Sequence, residues 1–356
     1  PLMSKGKSKR ATILDIAREA DVSPATVSRV LSDSGYPVKE ELCARVRKAA
    51  QKLNYKPNIF SQMLKGVASK EIGIIVPDLL NPFYAQLVSV AARKCVLNGY
   101  APIVCSSYDS PEMERRQLDI LLRQQVAGLL FSSIDQSGAF LKELEQPDAP
   151  PFILFDQVYE GFSGNSVSFD FFKGGYMAAD YLIQCGHRRI AFASRVIDRS
   201  SRKLVMEGYQ KALSDAGIPA EENLLLIRGE KGRPEKDENP DIHNGRALAR
   251  MLLECNPKPG AVMAVNDITA IGMIDSLSRQ GIRVPGDVSV IGFDNIPFAS
   301  MVTPALTTIF QPALKTGQCA VDLLFEHIQN PGLRPEQIVI QPELIIRQSV
   351  RKINEP

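Results

Sequence analysis

Residues 11–32 read "ATILDIAREADVSPATVSRVLS". Apolar residues recur at helical spacing, break at Asp21-Val22-Ser23 and resume at once, which predicts two very short helices joined by a three-residue corner. Thr12 is placed to cap the first helix, whose inward face is Ile13, Ile16, Ala17 and Ala20. Asp21 falls where the corner needs a left-handed residue, a conformation Asp tolerates better than most non-glycines. Ser23 caps the second helix and Pro24 takes its favoured first position. Val27, Val30 and Leu31 face inward, Val22 plugs the corner, and Ala17 is small enough to let the helices cross closely. The outward face of the second helix carries Ala25, Thr26, Ser28 and Arg29, short groups plus one guanidinium that suit a DNA major groove. This is a helix-turn-helix pattern, completed by a third amphipathic helix from Glu41 to Leu53. A helical hairpin buried inside an enzyme is the alternative, but it would not need a polar, basic outer face. Candidate DNA contacts are therefore Ser23, Pro24, Ala25, Thr26, Ser28 and Arg29.

The charge distribution points the same way. The whole chain carries a formal +2, yet residues 1–70 hold 14 Lys/Arg against 6 Asp/Glu, leaving the remainder acidic. A small basic head on a mildly acidic body is expected when only the head meets a polyanion. With 356 residues, 44% of them hydrophobic, the chain is long enough for two or three domains with real cores. No apolar run approaches the roughly 18–20 residues of a membrane span. The segment Pro1 to Arg10 is polar and basic, unlike a secretory signal. Six widely spaced cysteines without a C-x-x-C suit reduced thiols and a cytoplasmic location.

From Ile72 the rhythm becomes strand, helix, strand. The apolar runs "IGIIVP" (72–77), "PIVC" (102–105), "GLLF" (128–131) and "FILF" (152–155) alternate with helical patterns near 84–98 and 112–125. A second series follows: "IAFAS" (190–194), "LLLI" (224–227), "AVMAV" (261–265) and "VSVIGF" (288–293), separated by helices near 174–185, 203–216, 244–255 and 268–280. Continuous apolar strands between helices predict parallel sheets covered on both faces. Two such series predict two α/β lobes with a cleft between them, where ligands sit at the carboxyl ends of strands.

"TILDIAREADVSPATVSRVLS" (12–32), followed by "VRKAAQKLNYKPN" (46–58), resembles the headpiece of the lactose/galactose-repressor family of bacterial transcription regulators. "PDLLNPFY", "GGYMAADYLIQCGHRRIAF", "VNDITAIGMIDSLSRQGIRVPGDVSVIGFDN" and "TPALTTIFQP" resemble that family's sugar-binding-protein-like core. The resemblance covers about residues 11 to 350. It implies a three-helix headpiece over 10–57, a hinge helix and linker over 58–70, and a two-lobed, periplasmic-binding-protein-like, doubly wound α/β core over 71–350. Lobe 1 would comprise about 71–168 and 296–330, and lobe 2 about 169–295 and 331–350, with crossings near Phe169, Asn295 and Asn330. The hinge helix would match "NIFSQMLK" (58–65), placing the family's minor-groove leucine at Leu64, beside Lys65. So short a helix is not stable alone and would fold only with a partner helix and DNA. An apolar wedge between base steps kinks a duplex from the minor groove.

The implied function is a homodimeric transcription regulator, most simply a repressor of a carbohydrate-utilisation operon. It would bind a pseudo-palindromic double-stranded operator under control of a small-molecule effector, with no cofactor, metal or membrane involved. A regulator answering a non-sugar metabolite or a protein corepressor is the alternative. For the effector site we expect Phe83 and Tyr84 as an apolar platform, with Asp170, Arg199, Arg202 and Asp267 as polar anchors. Each lies just past an apolar strand or at a helix start. Two departures from the family pattern bear on the ligand. Val205 stands where an effector-contacting Arg often precedes the "GY" step, and the charged run "RGEKGRPEKDENPD" (228–241) lacks the usual stacking aromatic. Arg199 with Arg202 suggests an acidic or phosphorylated sugar. Enzyme signatures are missing: there is no G-x-x-x-x-G-K-[ST], G-x-G-x-x-G or G-x-S-x-G, and His187, His243 and His327 have no metal-site spacing. A periplasmic solute-binding protein would lack the basic head.

Overall fold

The computed structural model describes residues 11–31, 37–55, 69–159, 161–229 and 239–353. The chain divides into two compact units, Pro1–Ser69 and Lys70–Pro356.

The first unit packs α1 (Ile13–Ala20), α2 (Pro24–Leu31) and α3 (Glu40–Lys52) around Ile16, Ala17, Ala20, Val27, Val30, Val46 and Ala49. Thr12 caps α1 by accepting from the Asp15 amide, and the Asp15 carboxylate returns the bond to the Thr12 amide at 2.8 Å. Asp21 adopts the left-handed conformation expected of it, with φ 51° and ψ 55°. Arg45 on α3 donates to the carbonyls of Ala20 and Asp21, satisfying the open end of α1 and locking the corner.

The second unit contains two six-stranded sheets. Its strands are β1 (Glu71–Val76), β2 (Ala101–Ser106), β3 (Gly128–Phe131), β4 (Phe152–Phe155), β5 (Ser166–Phe169), β6 (Ile190–Ser194), β7 (Leu225–Ile227), β8 (Ala261–Ala264), β9 (Ser289–Asp294), β10 (Thr307–Phe310), β11 (Gln337–Ile340) and β12 (Glu343–Ile345). One sheet has the order β11-β5-β4-β3-β1-β2 and the other β12-β10-β9-β8-β6-β7. All pairings are parallel except β10 with the edge strand β12. The helices are α4 (Pro82–Leu97), α5 (Pro111–Arg123), α6 (Leu141–Leu144), α7 (Phe171–Gln184), α8 (Ser200–Asp215), α9 (Pro240–Glu254), α10 (Asp267–Arg279) and α11 (Ala313–Gln329). Both expected strand series are present. β5, β10, β11, β12, α6 and α11 were not foreseen.

The lobe boundaries differ from expectation at two of three crossings. The chain does pass between sheets at Phe169–Phe171, but it does not leave the second sheet at Asn295. Asp294 and Asn295 take positive φ (118° and 57°) and turn the chain back, so that β10 pairs with β9, Thr307 against Ile291. The second crossing follows Phe310, and α11 then packs on α4, with Gly317 against the Leu87 carbonyl and Val90. The third lies between β11, paired with β5, and β12, paired with β10. It therefore falls near Gln341 and not at Asn330.

Within the second lobe, α7 and α8 cross at very close range. A Cβ on Gly175 would stand 2.2 Å from the Val205 carbonyl, and one on Gly208 would stand 2.1 Å from that of Phe172. Only glycine permits this approach, and it presents the first turns of α8, with Ser201, Arg202 and Val205, to the gap between the lobes.

Candidate functional site

On the N-terminal unit, Val27 and Val30 anchor α2 from below, leaving Ser23, Pro24, Ala25 and Arg29 exposed and Thr26 and Ser28 half-buried. The Ser23 hydroxyl caps α2 by accepting from the Thr26 amide at 3.1 Å and lies 2.9 Å from the Thr26 hydroxyl. Ser23, Pro24, Ala25 and Thr26 thus cluster at the N-terminus of α2, whose amides and dipole also favour phosphate, while Ser28 and Arg29 follow towards its last turn. Leu64 and Lys65 lie outside the described residues.

In the larger unit a cleft opens between the two sheets. It is built from the residues that follow apolar strands: Asp78 past β1, Asp109 past β2, Asp156 past β4, Arg195 past β6, Asn266 past β8, Asp294 at the end of β9 and Gln311 past β10. Helix N-termini add Asn81, Phe83 and Tyr84 from α4, Phe171 from α7, Arg199, Ser201, Arg202 and Val205 from α8, and Asp241 from α9.

Two polar networks cross the cleft. The Tyr84 hydroxyl donates to Asp156 Oδ2 at 2.6 Å, while Gln157 and Gln311 donate to the same carboxylate at 2.9 and 3.0 Å. Gln157 Nε2 reaches on to the Ser201 hydroxyl at 3.1 Å. Burial and the Asp156 charge raise the Tyr84 pKa well above its ordinary value, so the phenol stays a donor. In the second network Asp109 from the first lobe takes Arg195 at 2.7 Å and also pairs with Arg199, both from the second. Burial opposes ionisation of Asp109, but the Arg199, Arg195 and Arg202 guanidiniums prevail and hold it at about 2. Arg199, itself fully buried, is raised in turn by Asp109. Arg202 is occupied by Asp198 at 2.7 Å and the Val196 carbonyl at 3.0 Å. Against these satisfied groups, Asp241 Oδ1 and Asp294 Oδ2 are buried without a hydrogen-bond donor. Burial, with the charges of Asp267, Asp156 and Asp241, pushes the Asp294 pKa well above the usual carboxylate range. Such an array suits a small molecule rich in donors. Among the described residues no group of His, Cys, Asp or Glu could hold a metal, and no helix is long and apolar enough to cross a membrane.

Residues 12–58 match the model for "Bacterial regulatory proteins, lacI family", and residues 179–350 match that for "Periplasmic binding protein-like domain". The HTH-type transcriptional repressor PurR of Vibrio atlanticus is 31% identical over 344 residues, spanning 97% of this chain and 100% of that protein. The chain belongs to the lacI family. It is a DNA-binding transcriptional repressor of that type and not an enzyme. Solved structures agree. The lac repressor dimer bound to operator and the anti-inducer ONPF aligns with a TM-score of 0.80 at 26% identity, over 96% of this chain and 100% of that one. The transcriptional regulator CelR in complex with cellobiose aligns at 0.70 and 27%, over 96% and 100%.

In this lacI-family core, four of the six expected effector residues (Phe83, Tyr84, Arg199 and Arg202) reach the cleft. Two do not. Asp170 is the N-cap of α7, accepting from the Lys173 amide at 2.9 Å, and its neighbour Phe171 lines the cleft instead. Asp267 is wholly buried behind β9, where Oδ2 accepts from the Ile296 amide at 2.9 Å and Oδ1 from the Thr308 hydroxyl at 2.6 Å. It holds the turn after β9, and its neighbour Asn266 faces the cleft. Both misplacements are by one residue at a helix start, where successive side chains point about 100° apart. The argument for an acidic effector weakens too, since Arg199 and Arg202 already face Asp109 and Asp198. Asp78, Asn81, Asp109, Asp156, Arg195, Asp241, Asn266, Asp294 and Gln311 were missed, although five of them sit within two residues of the apolar runs quoted from the sequence.

Proposed function

We propose that this chain is an operator-binding homodimer in the cytoplasm whose grip on DNA is set by a small polyhydroxylated effector held in the cleft. In this reading Arg29 reads a base edge, Ser23, Pro24, Ala25, Thr26 and Ser28 position α2 on the groove, and Leu64 with Lys65 engages the operator centre from a hinge helix. The observation that supports a sugar-like effector is the pairing of aromatic rings (Phe83, Phe171, Phe293) with side-chain acceptors and amides at the strand ends. CelR, similar over 96% of this chain, is described in complex with cellobiose. Closing the cleft would change the separation of the two hinge helices, and hence whether both headpieces reach half-sites about one helical turn apart. Coupling of this kind is reciprocal and typically about 1–3 kcal/mol. The test is fluorescence anisotropy on an operator recovered by in vitro selection, titrated with compounds that raise the melting temperature of the purified protein. A palindromic consensus whose affinity shifts at least about fivefold with such a compound is expected. Failure to enrich any duplex, or stabilising compounds that leave operator affinity unchanged, would count against it.

A further inference from the structure

We infer that the cleft selects an effector carrying a protonated amine, an amino sugar or comparable aminated polyol, with Asp294 and Asp241 as its anchors; this rests on the effector reading above. The geometry begins with a charge imbalance. Asp78, Asp109, Asp156, Asp241 and Asp294 line the cleft against Arg195, Arg199 and Arg202. The guanidiniums are not available to a ligand anion: Asp109 holds Arg195 and Arg199, and Asp198 holds Arg202. Among the described residues this leaves two carboxyl groups of one wall, Asp241 and Asp294, without a hydrogen-bonded cation.

That wall is specific. Asp294 is 8% exposed, its Oδ2 accepts no hydrogen bond, and the charges acting on it are all carboxylates: Asp267, Asp156 and Asp241. Asp241 is equally buried; Asn266 Nδ2 donates to its Oδ2 at 2.9 Å, and among the described residues its Oδ1 has only the Arg195 guanidinium, at 3.6 Å. A buried acceptor left without a donor is destabilising, so two on side chains that line one cavity point to a ligand that brings the donors. A hydroxyl would satisfy one of them. An ammonium has three N–H bonds and also cancels the unbalanced charge. The adjoining wall is apolar: Phe171 and Phe293, which also line the cleft, stack on each other with ring centroids 6.3 Å apart. The raised Asp294 pKa is consistent: an incoming ammonium supplies the counter-charge that lets this carboxyl ionise.

The experiment is calorimetric titration of the full-length protein with matched probes: glucose, glucosamine and gluconate, then galactose, galactosamine and galacturonate, then myo-inositol and an aminated inositol. We expect the amine of at least one series to bind at least about tenfold more tightly than its hydroxyl parent, the acid not to bind, and N-acetylation to abolish the gain. Asp294→Asn should reduce the amine-to-hydroxyl preference to within about threefold while melting cooperatively. Binding of a neutral or acidic member as tight as its amine overturns the inference but leaves a sugar effector standing. The inference also fails if no amine binds at millimolar concentration, or if Asp294→Asn keeps the full preference. Operator binding, measured on the same preparations, separates these results from failure of the regulator reading.

Discussion

Replacing Asp267 by alanine separates two incompatible roles for that carboxyl group. If it anchors an effector, the substitution should remove the ligand response and leave the fold alone. The structure says the reverse. Its side chain is 0% exposed and serves as acceptor for two buried donors, the Ile296 amide at 2.9 Å and the Thr308 hydroxyl at 2.6 Å. Alanine strands both donors, at roughly 1–3 kcal/mol each. Part of that is returned, because burial disfavours the ionised carboxyl and raises its pKa, so removing it also removes a desolvation cost. A net loss of about 2–3 kcal/mol is expected, which for a unit of this size lowers the melting temperature by roughly 4–10 °C. Differential scanning calorimetry reads the shift directly, and effector affinity measured well below the transition should stay within about threefold of the parent. A variant that melts with the parent yet no longer answers effector would refute this reasoning and restore Asp267 to the binding site.

Arg29→Ala should cost about 1–3 kcal/mol on the operator and relax preference at one position per half-site; equal weakening on every sequence would make Arg29 a phosphate clamp. Leu64→Ala should leave effector binding intact and lose specific operator affinity, with DNA bending by gel phasing as the check; unchanged bending refutes the wedge. Asp109→Asn leaves the buried Arg195 and Arg199 without their shared carboxylate and should destabilise the core unit by about 3 kcal/mol in urea. Burial raises Glu114 from 4.5 to about 7 despite donors from the Ser133 hydroxyl and the Ile134 amide. The folded state thus favours its neutral form, a contribution fully present below the unfolded value and lost as pH rises through about 7. Glu114→Gln should flatten that fall in urea melts taken between about pH 4.5 and 7; an unaltered slope places the dependence elsewhere.

Much of the architecture was legible in the sequence because it depends on local patterns. The corner at Asp21, the caps at Thr12 and Ser23 and the eight apolar strand runs all follow from periodicity and backbone preference within a few residues. What escaped depends on distant partners. Strand β5, "SVSF", alternates polar and apolar and gains its place from β4 and β11, the latter some 170 residues away. The second crossing was misjudged because nothing local shows that Thr307 pairs beside Ile291. In the cleft, the rule that ligands meet the carboxyl ends of strands singles out Asp78, Asp156, Arg195, Asn266 and Asp294. Choosing the helix-start residue over the strand-end residue gave Asp267 in place of Asn266. Asp109 carries no local mark, since its role exists only once Arg195 and Arg199 arrive from the other lobe.

The three crossings at Phe169–Phe171, after Phe310 and near Gln341 have a mechanical meaning. Two of them are stitched together, the Asp170 amide donating to the Ile340 carbonyl at 3.0 Å and Lys173 Nζ to Gln341 Oε1 at 2.9 Å. Straps tied in this way resist sliding and twisting and yield most easily to bending about one line. The lobes are thereby left with a single soft coordinate, an opening angle. On the proposed reading, an effector in the cleft would report by the angle it selects, so compounds of unlike chemistry and opposite effect on transcription would become points on one scale. Substitutions in the straps should shift the zero of that scale while touching neither ligand nor DNA.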